Sequence, residues 1–479
     1  MKFTANDPFI EFMLPPPDET PAQKTARLQR ELDAQQVSDR IDEQIRQERA
    51  LAKKEKNIIK VLLLGQAESG KSTTLKNFRM RFAQTAWEKE RNGWRAVVQF
   101  NVVRSIRTIL EAIQAEIRGD PTHELDEVES RTDNGDEEEL QLDEIHSLLT
   151  IRLAPLHAVE ASLKRRLGPG AESHQSEMLM AATPFDQPIG RSVGNLSSQE
   201  FAVRSWKEAL DPENPMNHAG TDLDEATITI AACKDDMKAL WNDKTVRQVL
   251  KRRKQLLPDS AGFFLNDIDR IASRDYVVHD DDIVRARLRT VGIQEYRLKF
   301  KHGPWANPKA ASSKEAVGWE WRIFDVGGCR TSRAAWLPFF DNVNVIIFLC
   351  PVSVFDQRLE EDPRVNRLED SIILWKSICS AKLLAKTQLI LFLNKCDLLK
   401  RKLKRGIQVN NFLPSYGNKP NEIITVVKYF REKFKEIQRE HSPQPRSTYI
   451  FATTVTDTGA TLITLESGIV LIALPMLMV

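Results

Sequence analysis

The chain has five cysteines in 479 residues, at Cys233, Cys329, Cys350, Cys379 and Cys396, and no CxxC pair among them. An odd, scattered set argues against a disulfide framework and for reduced cytosolic thiols, most of them packed as small apolar side chains. Net charge is nearly absent, with 69 Lys and Arg against 67 Asp and Glu, so the overall field gives no reason to expect nucleic acid as a partner. There is no apolar h-region after Met1-Lys2-Phe3-Thr4, which argues against a secretory leader. Lys2 stands where N-myristoylation needs glycine, and no nearby cysteine offers a palmitoylation site. The apolar run Gly468 to Val479 is too short for a spanning helix and contains Pro475. No internal repeat is visible.

What is present is length for several domains and charge arranged in blocks. Pro15-Pro16-Pro17-Asp18-Glu19-Thr20 closes an extended tail, and Pro21 opens a charged segment predicted to be helical. On it, Ala34, Val37, Ile41 and Ile45 form a stripe too narrow for a domain but suited to a partner protein, which makes 1–57 a tail plus partner-binding helix. Ile58 to Leu64 is a short apolar run meeting a glycine loop, as a buried parallel strand would, with a helix expected from Ser72. Trp319 to Phe324, Val343 to Cys350 and Gln388 to Leu393 are further candidate strands, and the expected core is a doubly wound α/β sheet. Residues 80–283 read as a mostly helical insertion, separating 58–79 from 284–479. Within it Asp and Glu dominate Asp120 to Glu144, and a Gly/Ser/Pro/Gln-containing stretch continues to about residue 200. The segment at about 116–200 is therefore predicted to be disordered.

Directly after the first strand, Gly65-Gln66-Ala67-Glu68-Ser69-Gly70-Lys71-Ser72 satisfies G-x-x-x-x-G-K-[ST] in the strand, loop, helix context that the motif needs. Loop amides and the helix N-terminus face phosphate oxygens, Lys71 supplies charge to the β and γ groups, and the Ser72 hydroxyl can ligate Mg²⁺. That combination indicates an NTPase without naming the base. Asn394-Lys395-Cys396-Asp397 follows a strand, and a carboxylate there accepts from both the ring NH and the amino group of guanine, whereas adenine presents an acceptor. Alone this is a weak match and reads equally as a polar turn; with the phosphate loop it points to guanine. Asp325-Val326-Gly327-Gly328 ends another apolar strand, placing an Asp to hold Mg²⁺ through water and glycines to approach the γ-phosphate.

Asp282-Ile283-Val284-Arg285-Ala286-Arg287-Leu288-Arg289-Thr290-Val291-Gly292-Ile293 resembles switch I of heterotrimeric G-protein alpha subunits, of a divergent fungal type. The segment from Asp259 to Ile271, Trp336, Phe355 to Asp362, and Asn366-Arg367-Leu368 match as well. The resemblance covers most of 20–115 and 235–458. It implies a Ras-like P-loop GTPase domain at 58–79 and 284–479, with the all-helical domain at 80–283 clamping the nucleotide. It also implies Arg287 as a built-in arginine finger with Glu68 as its ion-pair partner, and Ser72, Thr290 and Asp325 as magnesium ligands. GTP or GDP would be bound by Gly65, Glu68, Ser69, Gly70, Lys71, Ser72 and Thr73, by Asp259 and Ser260 at the clamp's edge, and by Val284, Arg285 and Arg287. Asp325 and Gly328 would join at the phosphates, Asn394, Lys395 and Asp397 at the base, with Val455 in the last guanine loop. Implied partners are a βγ dimer, a G-protein-coupled receptor and an effector, at the cytoplasmic face of the plasma membrane and with peripheral contact at most.

Four features depart from the family. Cys329 replaces the glutamine that orients the attacking water, and Ala67 replaces the loop glycine nearest the γ-phosphate; both point to slow hydrolysis. Thr454 and Val455 stand where Cys and Ala are usual, though a backbone NH can still serve the base. After Thr458 a nearly uncharged run replaces the family's terminal amphipathic helix. Two functions compete: a signalling GTPase that turns itself off slowly, and a nucleotide-locked binding module. A kinase or transport ATPase is opposed by Asp397. Binding should favour GTP and GDP over ATP, and Asp397→Asn should cost about 2 to 4 kcal/mol of guanine affinity in a nucleotide competition assay; unchanged preference would refute the base assignment.

Overall fold

A computed structural model describes residues 58–120, 142–167, 220–300 and 319–461, except 143, 254, 256, 261, 289–292, 360, 361, 458 and 460, together with part of 20–46. Residues 1–58 and 59–479 form two separate units. In the first, 35–43 are helical, and Val37 and Ile41 of the predicted stripe are about half exposed. Ala34 and Ile45 lie outside the described residues.

The second unit is built on a six-stranded sheet in the order β2-β3-β1-β4-β5-β6, where β1 is Ile58–Gly65, β2 Ile293–Phe300, β3 Trp319–Val326, β4 Val345–Pro351, β5 Gln388–Asn394 and β6 Thr448–Ala452. β1, β4, β5 and β6 pair in parallel, with Leu63 opposite Ile347, Ile347 opposite Ile390 and Ile390 opposite Tyr449. β2 lies antiparallel to β3 at one edge. The central strands read as unbroken apolar runs because both faces are covered. Leu62, Leu64, Ile346, Phe348 and Leu391 face a cluster with Trp375, Phe430 and Phe434, from helices Arg367–Ser380 and Ile423–His441. Val61, Leu63, Ile347, Leu349 and Phe392 face the other way, onto Leu75 and Phe78 of helix α1, Lys71–Phe82. β2 and β6 were not among the expected strands. β2 alternates, burying Gln294, Tyr296 and Leu298 and exposing Arg297 and Lys299, and β6 is apolar over Tyr449 to Ala452 but only five residues long and half-buried at the sheet edge.

A third cluster, built of helices and the loops between them with no strand among its described residues, runs from Trp87 to Ala286 around α2, Trp94–Ile117, which buries Val98, Val102, Ile106, Ile109 and Ile113 at helical spacing. Here one expectation is corrected. Part of the segment predicted to be disordered is folded: Glu144–Arg152 (α3) and Pro155–Leu167 (α4) are helices, and Leu149, Leu153, Leu156, Val159, Leu163 and Leu167 join that cluster. Acidic composition upstream masked this apolar period when the window was read as a whole. α2 itself reaches Ile117. Residues 121–141, 168–219 and 462–479, which include the rest of the insert and most of the divergent terminus, lie outside the described residues. Among those described, no helix is long and apolar enough to cross a membrane.

Leu163 is 2% exposed, so Leu163→Ala should cost about 2 to 5 kcal/mol in urea-induced unfolding; a disordered segment would give no change.

Candidate functional site

At the carboxyl end of β1 the chain turns sharply. Gly65 has φ 142°, and a Cβ there would sit 2.4 Å from the Leu349 carbonyl oxygen, so only glycine lets the loop leave the sheet. Glu68 takes a left-handed φ of 59°, and Gly70, φ 103°, caps α1. The buried Lys71 Nζ donates to the carbonyls of Gly65 at 2.9 Å and Gln66 at 2.6 Å. Burial pulls its pKa down to about 8, against the raising influence of Asp325. Ser72 Oγ donates to Asp325 Oδ2 at 2.7 Å, which brings a hydroxyl and a carboxylate together beside that ammonium. Gly328 closes the loop from the opposite side: its carbonyl accepts from Ala67 N–H at 3.1 Å, and a Cβ there would lie 2.4 Å from Lys71 Nζ.

Over the loop, Arg287 Nη1 lies 2.6 Å from Glu68 Oε1, while Arg367 approaches the other carboxylate oxygen at 3.6 Å and donates to the Ala67 carbonyl at 3.0 Å. Burial alone would raise the Glu68 carboxyl, but Arg287, Lys395 and Arg367 outweigh it and hold the pKa at about 2. The backbone carrying Arg287 follows helix α5, Asp280–Arg285. Lys76 Nζ, buried on α1, donates to the carbonyls of Ile283 at 2.9 Å and Ala286 at 2.7 Å. Arg285 is directed at Asp267 Oδ2, 2.9 Å away, and the Phe263 carbonyl, which leaves its main chain and stem for the cleft.

At the other end, Asn394 Nδ2 donates to the Ser69 carbonyl at 2.7 Å and so ties the phosphate loop to β5. Lys395 is left-handed, φ 63°, and the next helix begins at Cys396. Asp397 is 42% exposed at the rim, 3.9 Å from Arg401 Nη2. Arg401 and Arg405 also approach Asp259, at 3.7 and 3.4 Å. The Val455 N–H, offered above to the base, is instead donated to Asn394 Oδ1 at 3.2 Å, and its carbonyl accepts from Asn77.

These parts enclose a cleft of about 420 Å³. Glu68, Ser69, Gly70, Lys71, Ser72 and Thr73 line it, with Asp259 and Ser260, Val284, Arg285 and Arg287, Gly328 and Cys329, Asn394, Lys395 and Asp397, and Val455. Gly65 and Asp325 stand behind its wall, joined to it through Lys71 and Ser72. Thr290 lies outside the described residues. Lys76, Asn101, Gly262, Arg367 and Arg401 were not singled out in the sequence as site residues. Arg367 and Gly262 stood inside matching segments, but Lys76, Asn101 and Arg401 sit in helices with no local motif.

The sequence pattern of the G-protein alpha subunit family matches residues 35–468. The chain belongs to that family. It is 29% identical to the guanine nucleotide-binding protein alpha-4 subunit of Mycosarcoma maydis, over 94% of this chain and 91% of that protein. It is equally similar to the alpha-2 subunit of Neurospora crassa and the alpha-7 subunit of Caenorhabditis elegans, at 29% over 89% of this chain and 90% of each of those proteins. This G-protein alpha subunit is accordingly a guanine-nucleotide-binding signalling switch and a GTPase, and the cleft joining its sheet to its helical cluster has the chemistry for a nucleotide.

A carboxyl held below its unfolded pKa contributes stability that is present above that unfolded value, about 4.5, and is lost as pH falls toward about 2. Between about pH 5 and pH 3 this protein should therefore lose about 2 kcal/mol more unfolding free energy than its Glu68→Gln variant, measured by urea titration. Equal losses would mean that Glu68 is not ion-paired in solution.

Proposed function

We propose that this alpha subunit is a slow self-inactivating switch which relays signals from a G-protein-coupled receptor and pairs with a βγ dimer in its GDP state. The observation that carries the catalytic part is the position of Arg287, 2.6 Å from phosphate-loop Glu68, in the same cleft as Cys329. A γ-phosphate arriving beside Lys71 would compete with Glu68 for the guanidinium, exchanging one anion for another with little reorganisation. The domain division at 58–79 with 284–479 and 80–283 is part of this reading, supported by the separate sheet and helical clusters.

Asp397 would take the ring NH and amino group of guanine, with Lys395 along the ring and Asn394 holding the loop. Ser69, Gly70 and Thr73 would supply phosphate contacts, with Asp259 and Ser260 at the clamp's edge and Val284 and Arg285 also against the nucleotide. For Mg²⁺ the donor set fits: a hydroxyl and a carboxylate, both hard oxygens, meet at Ser72 and Asp325. Thr290 is proposed as a further ligand. The ion, when bound, would neutralise phosphate charge and lower the barrier to transfer. Among the chain's own groups, Gly328 permits close approach to the loop, and Arg287 stabilises charge developing on the γ-phosphate. Cys329 can hold neither the attacking water nor a phosphate oxygen as an amide would, and Ala67 adds a methyl group to the same space. Receptor, effector and βγ contact, and residence at the cytoplasmic face of the membrane through those partners, are supported by family membership and by the half-exposed Val37 and Ile41.

Cys329→Gln should accelerate single-turnover GTP hydrolysis by about tenfold or more, at least about 1.4 kcal/mol, with GTP affinity unchanged. Arg287→Ala should slow it in either background. If Cys329→Gln has no effect while Arg287→Ala does, another residue positions water; if neither changes the rate, the nucleotide-locked alternative is the better description.

A further inference from the structure

An arginine finger is useful only if its backbone is fixed, because the flexible side chain amplifies any drift at Cα. The grip on residue 287 comes from Asn101, in the middle of α2 and 186 positions earlier in the chain. Asn101 Oδ1 accepts from the Arg287 N–H at 2.7 Å, and Asn101 Nδ2 donates to the Arg287 carbonyl at 2.8 Å. Both main-chain groups of one residue are therefore satisfied by one carboxamide, as a neighbouring strand would satisfy them. With Asn101 only 5% exposed, neither bond is readily replaced by water.

Two further contacts make this a built arrangement. Gly262, at φ 79°, packs against it so closely that a Cβ would lie 2.6 Å from Asn101 Oδ1 and 2.9 Å from Arg287 Cβ. From the sheet side, Lys76 holds the carbonyls of Ile283 and Ala286. Residues 283–287 are thus held by α1 on one side and by α2 on the other. Asn101 does not line the cleft, so it has no direct route to nucleotide affinity.

We propose that Asn101 is the positioning residue of the arginine finger, coupling the helical cluster to the rate of phosphoryl transfer. This rests on the reading of Arg287 as the catalytic arginine. The inference separates two properties that general damage would move together: the hydrolysis rate falls when the carboxamide is lost, and affinity for GTP and GDP does not.

The test uses the full chain with Cys329→Gln as parent, single-turnover GTP hydrolysis, nucleotide affinities, and amide exchange over 284–288. Asn101→Asp keeps the acceptor but turns a carboxylate oxygen toward the Arg287 carbonyl, and Asn101→Ala removes both bonds. Each should slow hydrolysis about 10- to 100-fold, the range expected for small misplacements of a catalytic group, with affinities within about twofold of the parent. Neither should slow an Arg287→Ala protein further. Exchange at Arg287 should rise in Asn101→Ala and stay low in Asn101→Asp, a readout that needs no turnover. The proposal is overturned if the Asn101 variants hydrolyse at the parent rate while Arg287→Ala is slow, if affinity falls in step with rate, or if exchange at Arg287 is unchanged in Asn101→Ala. If Arg287→Ala is as fast as the parent, the catalytic reading itself fails and this inference falls with it, an outcome distinct from the first.

Discussion

A lysine ammonium buried where a central parallel strand ends has to be compensated by whatever the fold can bring within reach, because an isolated buried charge is not tolerated. For Lys71 that compensation is two loop carbonyls and a nearby carboxylate, Asp325, and burial still pulls the pKa down to about 8. Loop dipoles and one shared carboxylate leave a site that a polyanion would stabilise. Much of the surrounding geometry follows from that need. Gly65 and Gly328 lack side chains because the loop, its neighbouring strand and the ammonium leave no room for a Cβ. Asp325 arrives at the same level because β3 and β1 are neighbours in the sheet.

The loop is coupled outward by buried polar groups, which cannot separate cheaply once their partners are out of water. Gln66 Nε2 donates to the Arg367 carbonyl at 2.6 Å and to Asp370, and Asp370 also receives two bonds from Arg333, at 3.0 and 2.6 Å. That chain of contacts joins the phosphate loop to the segment after Cys329, so the two move together or leave charges unpaired. On the other side, Asn394 ties the loop to β5 and the segment after β6. The helical cluster takes part through Asn101 and Gly262, and through Asp259, which Arg401 and Arg405 approach.

Stability and function draw on different parts of this arrangement. The sheet faces and the helical cluster are packed with buried Trp, Phe, Leu and Ile side chains, which supply the apolar burial that sets global stability. The cleft keeps polar groups at close quarters, a cost that the surrounding cores offset. Arg287 and Glu68 illustrate the balance: their short ion pair is only partly exposed, at 26% and 15%, which makes it strong enough to order the arginine and open enough for a phosphate to reach it.

By itself the sequence determined the chemistry that lies in contiguous stretches. The phosphate loop, Asp325-Val326-Gly327-Gly328 and Asn394-Lys395-Cys396-Asp397 each carry their donors, acceptors and turns within a few residues; β1, β4 and β5 are legible because strands buried on both faces are almost entirely apolar, and β3 because Trp319, Trp321, Ile323 and Phe324 favour a strand although Glu320 and Arg322 alternate with them. Helices α3 and α4 were missed where acidic neighbours diluted an apolar period, and β2 and β6 where a strand was alternating or short. Only the tertiary structure decided which distant groups meet: Asn101 on Arg287, Lys76 on the carbonyls of Ile283 and Ala286, and Arg405 near Asp259. It also decided that the Val455 N–H is taken up by Asn394. Those contacts span 186, 207, 146 and 61 positions, and no local propensity encodes them. The first three exist because packing the helical cluster against the sheet brings polar groups together, and the last because β5 and β6 are neighbours in the sheet; in each case groups removed from water must find a partner.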